Sequence, residues 1–183
     1  MSLDAMSQRP HDRLAEWLAA DMEDVNALIR ARMASRHAPR IPEVTAHLVE
    51  AGGKRLRPLL TLAAARLCGY RGEHHIRLAA TVEFIHTATL LHDDVVDESQ
   101  RRRGRPTANL LWDNKSSVLV GDYLFARSFQ LMTETGSLRV LAILADASAT
   151  IAEGEVLQLT AAQDLSTTED IYLQVVRGKT AAL

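Results

Sequence analysis

The chain has 183 residues, 47% of them hydrophobic and 24% charged, with a formal net charge of -2. That is enough to close one core, and too nearly neutral for a general attraction to nucleic acid, so any cluster of cations is a local feature. Cys68, the one cysteine, excludes an internal disulfide and fits a reducing compartment, and no apolar run approaches the roughly 18 residues that span a bilayer. A cytoplasmic protein without a transmembrane segment is expected.

Leu14, Trp17, Leu18, Met22, Val25, Leu28 and Ile29 recur at spacings of three and four, which predicts one amphipathic helix from about Pro10 to Ser35. Pro39 and Pro42 interrupt the pattern. A short helix follows from Pro42 to Ala51, and Gly52-Gly53 stops it. The next begins near Arg57-Pro58, where proline suits a first turn, and runs through LLTLAAARLCGY. A central helix is predicted from His74 to about Glu98, then helices over Ser116 to Thr135, Ser137 to Thr160, and Thr168 to the end. No stretch alternates with period two or carries a hairpin signal, so the fold class is all-α.

Chemistry concentrates between Glu83 and Thr107, EFIHTATLLHDDVVDESQRRRGRPT. On a helix, Asp93 and Asp97 lie about 40° apart in direction and about 6 Å apart along the axis, so both carboxylates face one way. Two like charges one turn apart repel, and acids near a helix C-terminus oppose its dipole, so helix stability does not account for them. A cation offsets that cost. Magnesium takes oxygen ligands, combining one or two carboxylates with water and phosphate oxygens, and the guanidinium forks of Arg101, Arg102, Arg103 and Arg105 suit the remaining phosphate oxygens. Either charged half alone is better read as a solvated helix end and loop, and only the two together shift the balance. Phe84, Ile85, Leu90, Leu91, Val95 and Val96 around the acids instead imply a partly buried wall. Upstream, Gly53-Lys54-Arg55-Leu56-Arg57-Pro58 sets three cations at a glycine-flanked helix start, where backbone N–H groups also favour an anion. An ordinary turn with exposed basic residues fits that stretch as well.

The run LLHDDVVDESQRRRGRPTAN, with GGKRLRP before it and GKT after it, resembles the trans-type polyprenyl diphosphate synthases, and most closely their long-chain, octaprenyl-like branch. The resemblance implies an orthogonal helical bundle of the isoprenoid synthase type, and a magnesium-dependent prenyltransferase that joins isopentenyl diphosphate to an allylic diphosphate. It implies that Asp93 and Asp97 hold Mg2+ bridging to the allylic diphosphate, with Asp94 as a weaker ligand or a partner behind them. Arg102 would meet the allylic diphosphate, and Arg103, Lys54, Arg57 and His86 the isopentenyl one. Lys179 and Thr180 of the GKT stretch would add a later contact to the allylic diphosphate; with no GxxxxGK ahead of it, that stretch is not a P-loop. Glu155 and Gln158, one turn apart, fall on a helix that lines the family's cavity, though surface polar residues explain them equally well. Product length would depend on Ala88 and Thr89, with Ile85 a turn deeper. Short-chain members carry aromatic residues at the first two positions, so small ones here imply a long product. A homodimer is expected from the resemblance alone.

The family's second aspartate-rich motif has no candidate here, since Asp164, Glu169 and Asp170 lack its spacing. Residues 1–183 are therefore expected to form a single domain that is the N-terminal portion of the bundle, without the later helices and with little or no turnover of its own. Three other readings fit parts of the sequence. A non-catalytic helical partner of a catalytic homologue is one. A metal phosphohydrolase of the HD type would use His86 and His92-Asp93 but neither Asp97 nor the arginines. A di-iron bundle would use Glu83 and His86 but needs a second copy of that element.

Overall fold

The apolar spacing of the first forty residues builds two helices where one was expected, α1 (Pro10–Trp17) and α2 (Ala19–Met33). Leu18 leaves helical geometry at φ -104°, ψ 12° and is buried, while Trp17 is 65% exposed. Hydrogen bonds from Leu18 N to Leu14 O and from Met22 N to Leu18 O carry the chain across the bend. No proline or glycine marks this break; the burial of Leu18 accompanies it, and tertiary packing overrides the local pattern.

The computed structural model describes residues 9–50 and 53–183, so Gly52 and Ala51, named above as the end of the second predicted helix, lie outside the described residues. The chain divides into two units, Met1–Thr135 and Gly136–Leu183. In the first unit α3 (Arg40–Glu50) and α4 (Leu56–Leu67) each carry a proline, Pro42 and Pro58, within the first turn, where the missing N–H has no intrahelical partner to lose. The central α5 (His74–Val96) packs against α2, α4 and a later helix, α7 (Asn114–Thr133). Ala79, Ala80, Thr81, Thr87 and Ala88 on α5 are small enough to let those helices close in, and Phe84, Ile85 and Leu91 fill the space between. Each such side chain contributes about 1.5–3 kcal/mol by burial. The Ser117 hydroxyl of α7 donates to Leu91 O at 3.1 Å, and a Cβ at Gly121 would lie 2.3 Å from the His92 ring, so glycine is what allows α7 to meet α5 there.

Between α5 and α7 the chain makes a feature the sequence reading missed. Strands β1 (Arg101–Arg102) and β2 (Arg105–Pro106) pair antiparallel, joined by Arg103 and Gly104 at φ 52° and 80°. Two consecutive positive φ values are the signature of a type I′ two-residue turn. Such turns favour Asn-Gly, and Arg-Gly hides the signal. A short helix, α6 (Ala108–Leu111), follows.

The second unit holds α8 (Leu138–Ala162), α9 (Glu169–Val176) and one π-helical segment, Arg177–Ala181. Gly154 of α8 and Gly178 of the π segment touch backbone to backbone, and a Cβ at Gly154 would come within 2.6 Å of Lys179 N. None of the helices among the described residues is long and apolar enough to cross a membrane.

Candidate active site

The acidic end of α5 stops in a defined way. Asp97 caps the helix, Glu98 turns left-handed at φ 50°, and Glu98 N and Ser99 N return to Val95 O and Asp94 O. That pair of bonds is a Schellman termination made without glycine. Asp93 stands half-buried in the last turn and Asp97 is exposed just beyond it, linked by the Asp97 N to Asp93 O bond of 2.8 Å.

Asp94 goes elsewhere. One residue on from Asp93 means about 100° around the helix, and its carboxylate is fully buried, with Oδ1 accepting from Arg102 Nε at 2.9 Å and lying 2.8 Å from Arg102 Nη2. A buried charge needs such a partner. Asp94 Oδ2 is buried without a hydrogen-bond partner. Arg102, expected from the resemblance to meet a diphosphate, thus commits two of its nitrogens to Asp94, and so ties β1 to α5.

Three further bonds hold the hairpin: His47 Nε2 of α3 donates to Pro106 O at 2.8 Å, Thr107 N to Gln100 O at 3.1 Å, and the Thr107 hydroxyl to Ser99 O at 2.7 Å. The His47 ring also meets Trp112 edge-on. The turn so fixed aims Arg103 across at the head of α4. Its guanidinium lies where a side chain at Gly53 would be, with a Cβ there only 2.5 Å from it.

Gly53, Lys54, Arg55, Leu56, Arg57, Glu83, His86 and Arg103 together line a hollow of about 580 Å³. A recess that shares several of these walls runs on past Leu48, Thr87, Leu90 and Arg102. Four cations therefore face one carboxylate. Glu83 is not a free acid: its side chain pairs with Arg55. Arg55 is itself left-handed, at φ 47°, which costs a residue with a side chain about 1 kcal/mol. Burial lowers the His86 imidazole to about 4, helped by the charges of Arg57, Arg103, Arg102 and Arg55. His86 is neutral at pH 7 and serves as a hydrogen-bonding group rather than a fifth cation.

The structure thus gathers Lys54, Arg57, His86 and Arg103 around one hollow, with Arg102 on the adjoining recess. Neither space counts Asp93 or Asp97 among its walls. Ile85 and Ala88 are closed into the core, and Thr89 is half-buried with its hydroxyl donating to His86 O at 2.8 Å. In the second unit, Lys179 Nζ pairs with Glu155 Oε2 at 2.7 Å and Thr180 is exposed. Arg55, Glu83 and His47 belong to the construction of the site in roles the sequence does not show. Arg55 stood in the quoted motif without a role, and the other two are revealed only by what they touch.

Asp93 and Asp97 suit magnesium by chemistry, since that ion takes one or two carboxylates alongside water and phosphate oxygens. Among the described residues, no group of three or more His, Cys, Asp or Glu side chains stands together as a metal cage. The hydrolase and di-iron readings lose their residues here: His92 Nε2 turns to Val118 O of α7 at 3.1 Å, and Glu83 is held by Arg55.

A helical scaffold that sets an acid pair at one helix end and a cationic hollow beside it is the architecture of the isoprenoid synthases. The polyprenyl synthetase family pattern matches residues 38–183, and the chain belongs to that family. It is 49% identical over 172 residues to an octaprenyl diphosphate synthase of Escherichia coli, covering 94% of this chain and 53% of that one. A nonaprenyl diphosphate synthase of Rhodobacter capsulatus is likewise 49% identical, over 91% of this chain and 51% of its own. Among solved structures, a decaprenyl diphosphate synthase from Rhodobacter capsulatus superposes with a TM-score of 0.93 at 83% identity, over 94% of this chain and 53% of that one. A polyprenyl synthase from Caulobacter crescentus, complexed with calcium and isoprenyl diphosphate, gives 0.91 at 58%, over 94% and 52%. The chain spans about half the length of the relatives it matches.

Proposed function

We propose that this chain carries the diphosphate-gripping half of a magnesium-dependent prenyltransferase that condenses isopentenyl diphosphate with an allylic diphosphate into a long-chain polyprenyl diphosphate. The observation that carries the reading is the hollow in which Lys54, Arg57 and Arg103 converge on neutral His86. Guanidinium and ammonium groups converging on one space suit a doubly phosphorylated ligand, and a neutral imidazole can complete its hydrogen bonding. Isopentenyl diphosphate takes that hollow, and the allylic diphosphate lies toward Asp93 and Asp97. Asp93 and Asp97 would hold Mg2+, which would supply charge stabilisation for the departing diphosphate. The allylic C–O bond breaks with both electrons going to the diphosphate, the isopentenyl double bond attacks the cation, and a proton leaves, with the released diphosphate as its acceptor. This chain's residues bind and orient the two anions and hold water away from the cation. A homodimer in the cytoplasm is part of the same proposal.

Chain length on this reading is set by Ile85, Ala88 and Thr89 below the aspartates. Ala88→Phe is expected to shorten the product made by an active, longer form; unchanged product lengths would remove these residues from that role.

A second reading, a non-catalytic helical partner, draws on the half-length match. Incubation of the 183-residue chain with a radiolabelled isopentenyl donor and an allylic primer separates the possibilities. The expected result is binding of isopentenyl diphosphate with little or no elongation. A normal elongation rate would show that these residues suffice, phosphate release would mean a hydrolase, and no binding of either diphosphate would leave the partner reading.

A further inference from the structure

Glu83 is the one carboxylate in the wall of a hollow otherwise lined by cations, and an acid there repels any phosphate that enters. It is also well enclosed, its side chain 12% exposed against 20% for Arg55, with which it pairs. Arg55 carries a second anomaly. Its left-handed backbone, φ 47° and ψ 34°, forms the N-cap of α4 with no side-chain cap bond, while its carbonyl accepts the helix's early bond from Leu59 N at 3.0 Å. A side-chain-bearing residue persists in that conformation when its surroundings fix it. What this turn fixes is on either side of it: Lys54 before and Arg57 in the first turn of α4. Among the described residues, Lys54 and Arg57 hold no ion pair of their own, so the backbone of this turn governs where their charges point.

We infer that Glu83 is a positioning residue for diphosphate recognition: by pinning Arg55 it holds the left-handed turn at the head of α4, and so sets the spacing of Lys54 and Arg57 before any ligand arrives. The inference rests on the diphosphate reading above. Its cost is one misplaced negative charge, and its gain is preorganisation, since two flexible cations need not be ordered by the ligand. Charge and geometry predict opposite signs. If the charge of Glu83 were what mattered, its removal would tighten anion binding; if positioning matters, its removal loosens it.

The test takes the 183-residue chain as wild type, Glu83→Gln, Arg55→Gly and the double variant, with inorganic pyrophosphate and inorganic phosphate as probes in calorimetry. Glu83→Gln is expected to weaken pyrophosphate about ten-fold while changing phosphate by less than about two-fold, because the paired anion alone depends on the spacing of two cations. Arg55→Gly takes the left-handed turn unaided but removes a cation and leaves Glu83 unpaired, so it weakens both anions by charge alone. Adding Glu83→Gln to it should cost nothing further, because the pair is already gone, and a further loss of pyrophosphate binding in the double variant overturns the inference. Tighter pyrophosphate binding in Glu83→Gln, or equal losses for both anions, overturns the inference. Backbone amide resonances of residues 53–57 give a readout independent of ligand. They should shift in Glu83→Gln and stay at the Arg55→Gly positions in the double variant; if they do not move in Glu83→Gln, the positioning role is overturned. Should wild type bind no pyrophosphate, the diphosphate reading falls, and the same amides still decide whether Glu83 sets the turn.

Discussion

The two charged regions of the first unit are built on opposite terms. At the head of α4 the cations gather around a hollow, each direction set by something rigid: a left-handed turn pinned by Glu83, and a hairpin tied to α5 and α3. At the far end of α5 the acids divide, Asp94 sealed inside against Arg102 while Asp93 and Asp97 stay at the helix end. The cations thus converge on one hollow within this unit. The acidic region is a half-buried and an exposed carboxylate one turn apart at a helix end. The difference teaches that three aspartates in five positions need not share a role, because one step along a helix turns a side chain by about 100°.

The sharpest break of this comparison comes from the acids themselves. Asp94→Ala removes the buried acceptor of Arg102 and should destabilise the chain by about 3 kcal/mol in urea unfolding, whereas exposed Asp97→Ala should stay within about 0.5 kcal/mol. Equal effects would show that Asp94 and Asp97 stand in the same environment. On the cationic side, Arg103→Glu puts a second acid over Gly53 and should lower pyrophosphate affinity roughly a hundred-fold by calorimetry. An unchanged affinity would take the hairpin out of the grip.

Proton linkage sharpens the contrast further. His86 sits depressed to about 4 by burial first and the nearby arginines second. Above a pH of about 6.5 the imidazole is neutral folded and unfolded alike; below it the unfolded chain takes up the proton first, so stability present at neutral pH is lost as pH falls toward about 4. His86→Gln should flatten that part of the acid limb in urea titrations between those pH values. A bound diphosphate offsets the arginine charges and should raise His86, which histidine ring chemical shifts would report. The smallest effect is Gly53→Ala. Its Cβ meets the flexible end of Arg103, so stability should hold within about 0.5 kcal/mol while pyrophosphate weakens about three-fold.

Much of the helical order could be read from spacing, because the period of apolar residues is a local property. The prolines at the starts of α3 and α4 and the long α5 follow from residues near one another in sequence. The bend at Leu18 could not, since no local residue marks it. The hairpin at 101–106 was hidden by an arginine in a turn position that usually takes asparagine or glycine. Glu83 carries no role that spacing reveals, since the di-iron element it could belong to lacks its second copy; its pairing with Arg55 across 28 residues shows its place.

Taken alone, the amino-acid order determined the helical class and the family resemblance and singled out the candidate acids and bases, because each depends on residue type and short spacing. Which aspartate faces inward, which arginine is spent on it, and which carboxylate fixes the basic turn were decided by tertiary structure. Those choices rest on contacts between elements, Arg102 with Asp94, Arg55 with Glu83 and His47 with Pro106, whose approach depends on how the helices pack.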